Sequence, residues 1–455
     1  MILWGAIAVV SVSAFGLLGS RFLPDALPFG GQRAPGYGTQ PGSGPGSAEA
    51  SADPSVDPRA LAPGGRLAFI WNSRLYVLDA ATRSLRLLAR RGASSPALSS
   101  DGTWVAHLEG AGLWIRSADG EAAEQVTDLP SELGAFAWSP ASSVLAVTSG
   151  GPEGETGQVW LVKPGEPSHR VATATRWISH LAWRPDGRAL AYAAALPTEA
   201  TRPGAERTTD ALFTLEMGAA EPKRVFVAEN EGIELSGWWP DGRGLLFWRN
   251  PEHSGSLAAD GLGLHSLRLE DGAARKLATT LTYPEWISWS PDGRRVLFVA
   301  GPGRESSDGK SLAVCDVSSS ACTMLGQPPD TVSLDPAWSP SGARISFVRA
   351  ARREGLAGPW DPWTRTRKLW TAAPDGSGSH EVATKSAAFG PAWSKDARRI
   401  LFLGDGALWL ADPAGGTAPA RVVSPFPGRG GNVAGDGGFY YGFFPLAILY
   451  SWWQG

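Results

Sequence analysis

The chain is poor in several residue types, and each shortage narrows its class. Of 455 residues only two are cysteines and three are methionines, and little of the sequence has the 3.6-residue periodicity of an amphipathic helix. The formal net charge is −3, from 41 basic and 44 acidic residues. The sequence therefore lacks the basic surface that nucleic-acid binding requires, and no nucleic acid is expected as a partner.

The common sequence signatures of catalysis and cofactor binding are also missing. There is no Gly-x-Ser-x-Gly nucleophile elbow, no His-x-x-x-His pair among the six histidines, no Walker A loop and no dinucleotide fingerprint. We therefore expect no cofactor, no metal and no catalytic residue that the sequence can name. Carboxylates that converge from several repeats leave no such signature, so a glycosidase or lyase stays open as an alternative.

The two cysteines, Cys315 and Cys322, flank Asp-Val-Ser-Ser-Ser-Ala, a segment that predicts a hairpin loop. Three interpretations are open: a disulfide across two strands, two free thiols, or a metal site. The metal interpretation lacks a second Cys or His pair at zinc spacing. A disulfide would fit an oxidising compartment.

The N-terminal segment predicts a membrane anchor or a signal peptide over residues 1–23. Residues 2–18 are apolar and uncharged, and no Lys or Arg precedes them, so the orientation is undetermined. Residues 24–58 are rich in Gly, Pro and Ser and predict a flexible, disordered linker. We expect a single-pass cell-membrane protein with an extracytoplasmic folded domain, or a secreted or periplasmic protein after cleavage.

The chain repeats one sequence cassette many times. Residues 289–299 read Trp-Ser-Pro-Asp-Gly-Arg-Arg-Val-Leu-Phe-Val, which predicts a strand end, a tight turn and a second strand. Pro fixes φ, Asp accepts backbone hydrogen bonds, and Gly supplies positive φ. Full or eroded copies are anchored at Leu61, Leu98, Trp138, Trp183, Trp238, Trp289, Trp338 and Trp393. The spacing fits four-stranded blades of roughly 40–50 residues each.

The repeats predict an all-β fold, a β-propeller of four-stranded antiparallel blades over residues 59–425. Eight units favour eight blades, or seven if the eroded first unit is degenerate. The tail, residues 426–455, ends in Ser-Trp-Trp-Gln-Gly, which resembles the end of an innermost strand at residues 237–242. We expect the tail to supply the innermost strand of the first blade, since ring closure removes an exposed edge. An interfacial or partner-binding tail is the alternative.

The cassette, followed by Leu-Ala-Phe, a Leu-Trp or Leu-Tyr strand and an Asp-Gly turn, resembles the repeats of TolB-type propellers. These are the WD40-like (PD40) units, which also occur in the propellers of prolyl-oligopeptidase-type peptidases. The resemblance covers the propeller region and implies its fold; as to function, it implies only a binding platform. The departures are the eroded units at Leu61 and Leu98, the loss of Pro-Asp-Gly near Ala141 and Lys395, and more units than TolB has.

Function is predicted to lie on the loops that join the second and third strands of each blade (B–C loops). These loops are long in four consecutive units, at about 194–210, 250–263, 300–310 and 350–367, and variable loops commonly carry function. The candidate binding residues are Arg352, Arg353, Trp360, Asp361, Trp363, Arg365 and His253. Exposed Trp beside Arg is typical of binding hot spots; the alternative is that both Trp side chains fold back into their own loop.

The sequence favours a monomeric, membrane-tethered propeller of a bacterial envelope that binds a protein partner, or a cell-envelope or polysaccharide ligand, through its B–C loops. The alternatives are a propeller enzyme with its site at the channel mouth and a purely structural module of an envelope complex.

Overall fold

A computed structural model describes residues 53–130, 133–150, 156–174, 178–196, 209–251, 253–355, 361–382, 387–426, 443 and 446–455. These residues form eight antiparallel sheets of four strands each, one of which gains a fifth strand. The prediction of an all-β propeller with eight four-stranded blades is confirmed. Eight innermost strands surround the central channel that this architecture has.

The strands of each blade are given from the innermost to the outermost. Blades 1 to 4 contain β33 (Tyr450–Trp453), β2 (Arg66–Trp71), β3 (Arg74–Asp79), β4 (Ser84–Ala89); β5 (Ala93–Leu98), β6 (Trp104–Glu109), β7 (Gly112–Ser117), β8 (Ala123–Val126); β9 (Leu133–Trp138), β10 (Leu145–Ser149), β11 (Gly157–Val162), β12 (His169–Ala174); β13 (Ile178–Trp183), β14 (Ala189–Ala195), β15 (Asp210–Glu216) and β16 (Lys223–Ala228).

Blades 5 to 8 contain β17 (Gly232–Trp238), β18 (Gly244–Asn250), β19 (Leu262–Arg268), β20 (Ala274–Thr280); β21 (Ile287–Trp289), β22 (Arg295–Ala300), β23 (Ser311–Asp316), β24 (Cys322–Met324); β25 (Thr331–Trp338), β26 (Ile345–Ala351), β27 (Lys368–Ala372), β28 (His380–Glu381); β29 (Phe389–Trp393), β30 (Ile400–Gly404), β31 (Ala407–Ala411) and β32 (Ala420–Ser424). Strand β1 (Ser55–Val56) pairs with β32 as the fifth strand of blade 8.

The described helices are short. They are α1 (Gly255–Asp260), α2 (Asp361–Thr364) and three 3-10 turns at Pro58–Ala60, Pro284–Trp286 and Leu446–Ile448. None of the helices in the described ranges is long and apolar enough to cross a membrane. The predicted N-terminal helix (1–23) lies outside the described residues, as does most of the predicted linker. The last part of that linker is folded: β1 belongs to it, and Tyr76 donates a hydrogen bond to Asp53.

The core lies between the blades. Second strands such as β22 carry five buried residues out of six, because both faces of each blade are covered by its neighbours. One apolar cluster, for example, joins Ala97 and Ile115 of blade 2 to Phe136 and Trp138 of blade 3. Outermost strands are polar or exposed; all three residues of β24 are exposed.

The repeated cassette forms the turn between the first two strands of a blade (A–B turn). In blade 6 the Ser290 hydroxyl donates to Asp292 Oδ1 (2.5 Å) and accepts from the Arg295 amide (2.9 Å). Asp292 also accepts from the Arg294 amide, and Gly293 adopts φ +69°. The Ser and Asp side chains thus satisfy the backbone donors that a tight reversal leaves unpaired.

Four of the anchor tryptophans fasten their blade to the one before it. Their indole N–H groups donate to the carbonyl that precedes the previous anchor: Trp138 to Ala97 (2.9 Å), Trp183 to Ala137 (2.9 Å), Trp238 to Ala182 (3.1 Å) and Trp393 to Ala337 (3.2 Å). A buried indole N–H needs an acceptor, so these tryptophans have a structural role.

The C-terminal strand closes the ring. Strand β33 pairs antiparallel with β2, with Trp452 opposite Leu67. Ser451 Oγ accepts from the Leu98 amide of blade 2 (3.0 Å), and Gln454 Nε2 donates to the Trp393 carbonyl of blade 8 (3.0 Å). One short strand therefore joins the first blade to both of its neighbours.

Strands β23 and β24 are also joined covalently. Cys315 and Cys322 are register partners, with Cα atoms 4.0 Å apart, and form a disulfide. The bond holds the three-residue outer strand of blade 6 on its neighbour.

Candidate functional site

The long B–C loops lie on one face of the propeller, opposite the A–B turns. In blades 5, 6 and 7 they occupy residues 251–261, 301–310 and 352–367, and the first and third contain α1 and α2. Most of the blade 4 loop, residues 197–208, lies outside the described residues. We call the described parts of the three loops of blades 5–7 the rim.

The rim loops bond to one another across blade boundaries. Arg304 of blade 6 binds Asp260 of blade 5 with both Nε (2.6 Å) and Nη2 (2.7 Å), and the Gly303 amide donates to the Asp260 carbonyl (2.7 Å). Arg352 Nε of blade 7 donates to Asp308 Oδ1 of blade 6 (2.6 Å). The loops of three consecutive blades therefore form one continuous surface.

Two further contacts stiffen the junction between blades 6 and 7. The Arg353 amide donates to the Ser307 carbonyl (2.8 Å), and Ser307 Oγ donates to the Arg353 carbonyl (2.9 Å). Lys310, only 1% exposed, donates from Nζ to the carbonyls of Pro302, Gly303 and Asp308. Burial lowers the pKa of Lys310 to about 8; the lysine organises its own loop from inside.

Trp363 is packed inside the rim. It is 4% exposed, its Nε1 donates to the Ala351 carbonyl (2.7 Å), and the Arg367 guanidinium lies 5.5 Å from its ring centroid. The Trp363 side chain therefore folds back into its own loop, which is the alternative to an exposed binding residue. Trp360 lies outside the described residues, and Asp361 is the first residue of α2.

The remaining predicted binding residues are spread along the rim. Arg352 contacts Asp308 and Glu354, Arg353 lies at the junction with blade 6, and Arg365 is exposed after α2. His253, at φ +50°, lies in the blade 5 loop, close to Gly232. The described members of this set lie on the rim loops of blades 5 and 7.

A second cluster, which the sequence did not single out, lies where the innermost strands meet the channel. Asp335, at φ +48° in a bulge of β25, is its centre. Its Oδ1 accepts from Trp286 Nε1 of blade 6 (2.8 Å), and its Oδ2 accepts from Arg367 Nη2 and from the Gly390 amide of blade 8 (3.1 Å). A single carboxylate therefore ties blades 6, 7 and 8 together.

The charge of Asp335 also reaches side chains that face the channel. Burial, together with Asp335, raises the pKa of Glu285 to about 7, and the same two causes raise the pKa of Tyr450, in blade 1. Glu285 is nevertheless exposed to solvent. Both properties fit a side chain on the channel wall, which water reaches but which protein surrounds.

The segment that leads to β33 lies over the channel mouth. Phe443 stacks on Tyr283 of blade 6, with ring centroids 3.6 Å apart. Leu446 packs over Gly390 of blade 8, and Ala447 packs against the core between blades 2 and 3. The described tail residues therefore cross the mouth on the B–C face, beside Glu285.

Glu234 is a second carboxyl with a shifted pKa near the channel. Burial raises the pKa of Glu234 to about 7, opposed by a hydrogen bond with Asn250 and assisted by the charge of Asp210. In blade 4, burial lowers the pKa of His180 to about 4, so its imidazole is neutral at pH 7. Glu234 and Glu285 each stand four residues before an anchor tryptophan. This repeat position was the sequence signal that could have found them.

We expect Glu234 to make stability fall as pH rises. Its side chain keeps a proton in the folded state up to about pH 7, whereas the unfolded side chain loses it near the ordinary value of 4.5. The folded state thus binds more protons between these values, so its free energy of unfolding decreases there and the loss is complete above pH 7. Replacing Glu234 with Gln removes this dependence.

Urea unfolding of both proteins at pH 5 and pH 8 checks this prediction. From pH 5 to pH 8, the free energy of unfolding of the wild type should fall by about 2 kcal/mol more than that of Glu234→Gln. Glu221→Gln, at an exposed position, controls for the loss of one charge. An equal pH dependence of Glu234→Gln and wild type would contradict the expectation.

No three His, Cys, Asp or Glu side chains among the described residues come together as a metal site. The site therefore consists of the charged rim, the Asp335 carboxylate that joins blades 6, 7 and 8, and the carboxyls of Glu234 and Glu285, whose pKa values are about 7.

No family model and no curated protein matches the chain. Solved structures do match. A TolB from Agrobacterium tumefaciens is 15% identical over 70% of this chain and 87% of that chain, with a TM-score of 0.35. An oligogalacturonate lyase from Vibrio parahaemolyticus is 12% identical over 76% and 98%, with a TM-score of 0.44. A prolyl endopeptidase is 11% identical over 81% and 51%, with a TM-score of 0.50.

At these identities the likeness concerns the fold alone. TolB proteins are among the solved structures that this chain is similar to, and its strands form an eight-bladed β-propeller, as the repeats predicted.

Proposed function

We propose that this protein is an extracytoplasmic, membrane-tethered propeller that binds a protein or envelope ligand on its rim. The observation that carries the proposal is the bonding between the rim loops of blades 5, 6 and 7. Loops that bond to one another hold their exposed groups in fixed positions before a partner arrives, and this reduces the ordering entropy that binding costs.

The exposed groups of the rim favour a polar partner. Arg365 and Glu354 are exposed, and the side chain of Arg352 is 42% exposed although it is ion-paired. Guanidinium groups bind carboxylates in a bidentate manner, so a protein or polysaccharide that carries carboxylates fits this surface.

The extracytoplasmic location rests on two features. The apolar segment 2–18 precedes a Gly- and Pro-rich stretch, and the folded domain contains a disulfide. Disulfides persist in oxidising compartments outside the cytoplasm.

The proposal is tested by crosslinking and capture from envelope extract with the full chain and two charge-matched variants. The rim variant carries Arg352→Glu and Arg365→Glu, and the control carries Arg294→Glu and Arg398→Glu on the A–B turn face, where both arginines are exposed. We expect the wild type and the control to capture the same partner and the rim variant to lose it. Unchanged capture by the rim variant, with a wild-type melting midpoint, would refute the rim as the binding surface.

Catalysis is the second candidate, and one observation favours it. Glu234 and Glu285 have pKa values of about 7, near which a side chain can serve as a general acid or base. Turnover of a uronate-containing polysaccharide by the wild type, lost in both Glu234→Gln and Glu285→Gln, would replace the binding proposal with a lyase or glycosidase.

A further inference from the structure

A buried arginine lies in the cleft between blades 6 and 7. Arg349 of β26 is 7% exposed and lines a cavity together with Leu312, Leu325, Gly326, Ser333, Ile345, Phe347 and Gly376. The cavity has a volume of about 240 Å3 including its open side, and its enclosed part is roughly the size of one water molecule. None of these lining residues belongs to the rim loops.

Two features of the fold leave this cleft open. The outer strands of the two blades are short, three residues in β24 and two in β28, so they cover little of the cleft. At the entrance, a Cβ added to Gly326 would meet no atom within 4 Å. A small solute therefore has a path to the guanidinium.

Arg349 has no anionic partner among the described residues. Its Nε is buried without a hydrogen-bond acceptor, and only burial shifts its pKa, downward; no carboxylate contributes. Its guanidinium lies 5.1 Å from the Phe347 ring centroid and 4.5 Å from that of Trp370. The guanidinium thus lies over two aromatic rings, which do not neutralise its charge.

Two further hydrogen-bond donors lie on the same face of the sheet as Arg349. Trp370 Nε1 is buried without an acceptor. Ser333 is a cross-strand partner of Arg349, so a hydroxyl shares its face of the sheet. A buried cation without a counter-charge is strongly unfavourable.

We propose that this cleft binds one small monovalent anion of about the size of chloride. The anion accepts hydrogen bonds from Arg349 and from the Ser333 hydroxyl, and Trp370 Nε1 is a third donor at its edge. The anion supplies the counter-charge that the protein lacks there, and so joins blades 6 and 7. It links stability to anion concentration, because a ligand that binds only the folded state multiplies the folded-to-unfolded ratio by one plus its concentration over Kd.

The test compares urea unfolding of the full chain in sodium chloride and in sodium gluconate at equal ionic strength, since gluconate is too large for the cavity. We expect the folded-to-unfolded ratio of the wild type to rise about elevenfold at a chloride concentration ten times Kd. Arg349→Met should lose this rise, whereas Arg344→Met, which removes an exposed arginine, should keep it.

Bromide is the second probe. Crystals of the wild type soaked in bromide should show anomalous density beside Arg349. Crystals of Ser333→Ala soaked at the same bromide concentration should show none there, because the substitution weakens anion binding. If Arg349→Met does not fold, Ser333→Ala takes its place in the chloride titration. Chloride should then raise the folded-to-unfolded ratio of Ser333→Ala less than that of the wild type. Equal stability in chloride and gluconate, or an Arg349→Met response equal to that of the wild type, would overturn the proposal.

Discussion

Deleting Tyr450–Gly455 is expected to lower the free energy of unfolding by on the order of 5 kcal/mol, and with it the melting midpoint. The deletion removes the strand that pairs with β2 and the half-buried Trp452 that packs into the core of blades 1 and 8. Each such side chain contributes about 1.5–3 kcal/mol, and each lost hydrogen bond adds about 1 kcal/mol. The exposed edge of β2 should also promote aggregation.

The contacts of Trp453 explain why so short a strand matters. Its Nε1 donates to the Ser100 carbonyl (2.8 Å), and its ring covers Gly102, where an added Cβ would lie 2.4 Å from the indole. Arg66 of blade 1 also lies over this ring, 5.8 Å from its centroid, and donates to the Gly102 carbonyl (2.7 Å). The strand thus connects blades 1 and 2 through side chains as well as through the sheet.

Calorimetric melting of the deleted chain and of a control that lacks only Gly455 measures this effect. A synthetic peptide of residues 446–455, added in excess, should restore part of the lost midpoint, because the β2 edge is otherwise intact. A deleted chain that melts with the wild type would show that β33 contributes nothing to closure.

The blade number could be predicted from the sequence because the determinants of the turns are local. Ser290, Asp292 and Gly293 bond within six residues, so their pattern survives in the linear sequence and can be counted. The hydrogen bonds of the anchor tryptophans have no such local pattern. Their acceptors lie about one repeat earlier, at carbonyls that any residue would supply.

The candidate site was harder to predict because its members meet only through packing of different blades. From the sequence, Trp363 resembled an exposed hot spot beside arginines. In the structure it is buried, because it donates to the Ala351 carbonyl and packs against Arg367. Asp335 is three residues before its anchor tryptophan, where the other units have neutral residues or His180. An acidic residue at that repeat position was a usable signal, but its partners Trp286 and Gly390 belong to other blades.

Asp335→Asn is expected to cost about 3 kcal/mol of stability, among the largest effects of any single substitution in this chain. Asn keeps the shape and tolerates φ +48°, so the change removes the charge without changing the size of the side chain. It takes the carboxylate away from Arg367, which is 2% exposed, and with the Asn oxygen facing Arg367 and Gly390 it also interrupts the hydrogen bond from Trp286. Breaking one side of a buried ion pair typically costs about 3–5 kcal/mol.

The double variant Asp335→Asn with Arg367→Met separates the pair from the rest of the cluster. Removing both charges leaves no isolated buried cation, so we expect the double variant to be more stable than Asp335→Asn alone and the two effects to be strongly non-additive in urea unfolding. Asp308→Asn is the matched control: it breaks the exposed ion pair with Arg352 and should cost about 1 kcal/mol or less. Additive effects at Asp335 and Arg367 would mean that the two side chains stabilise the blades independently, and the carboxylate would then not be the pin that joins blades 6, 7 and 8.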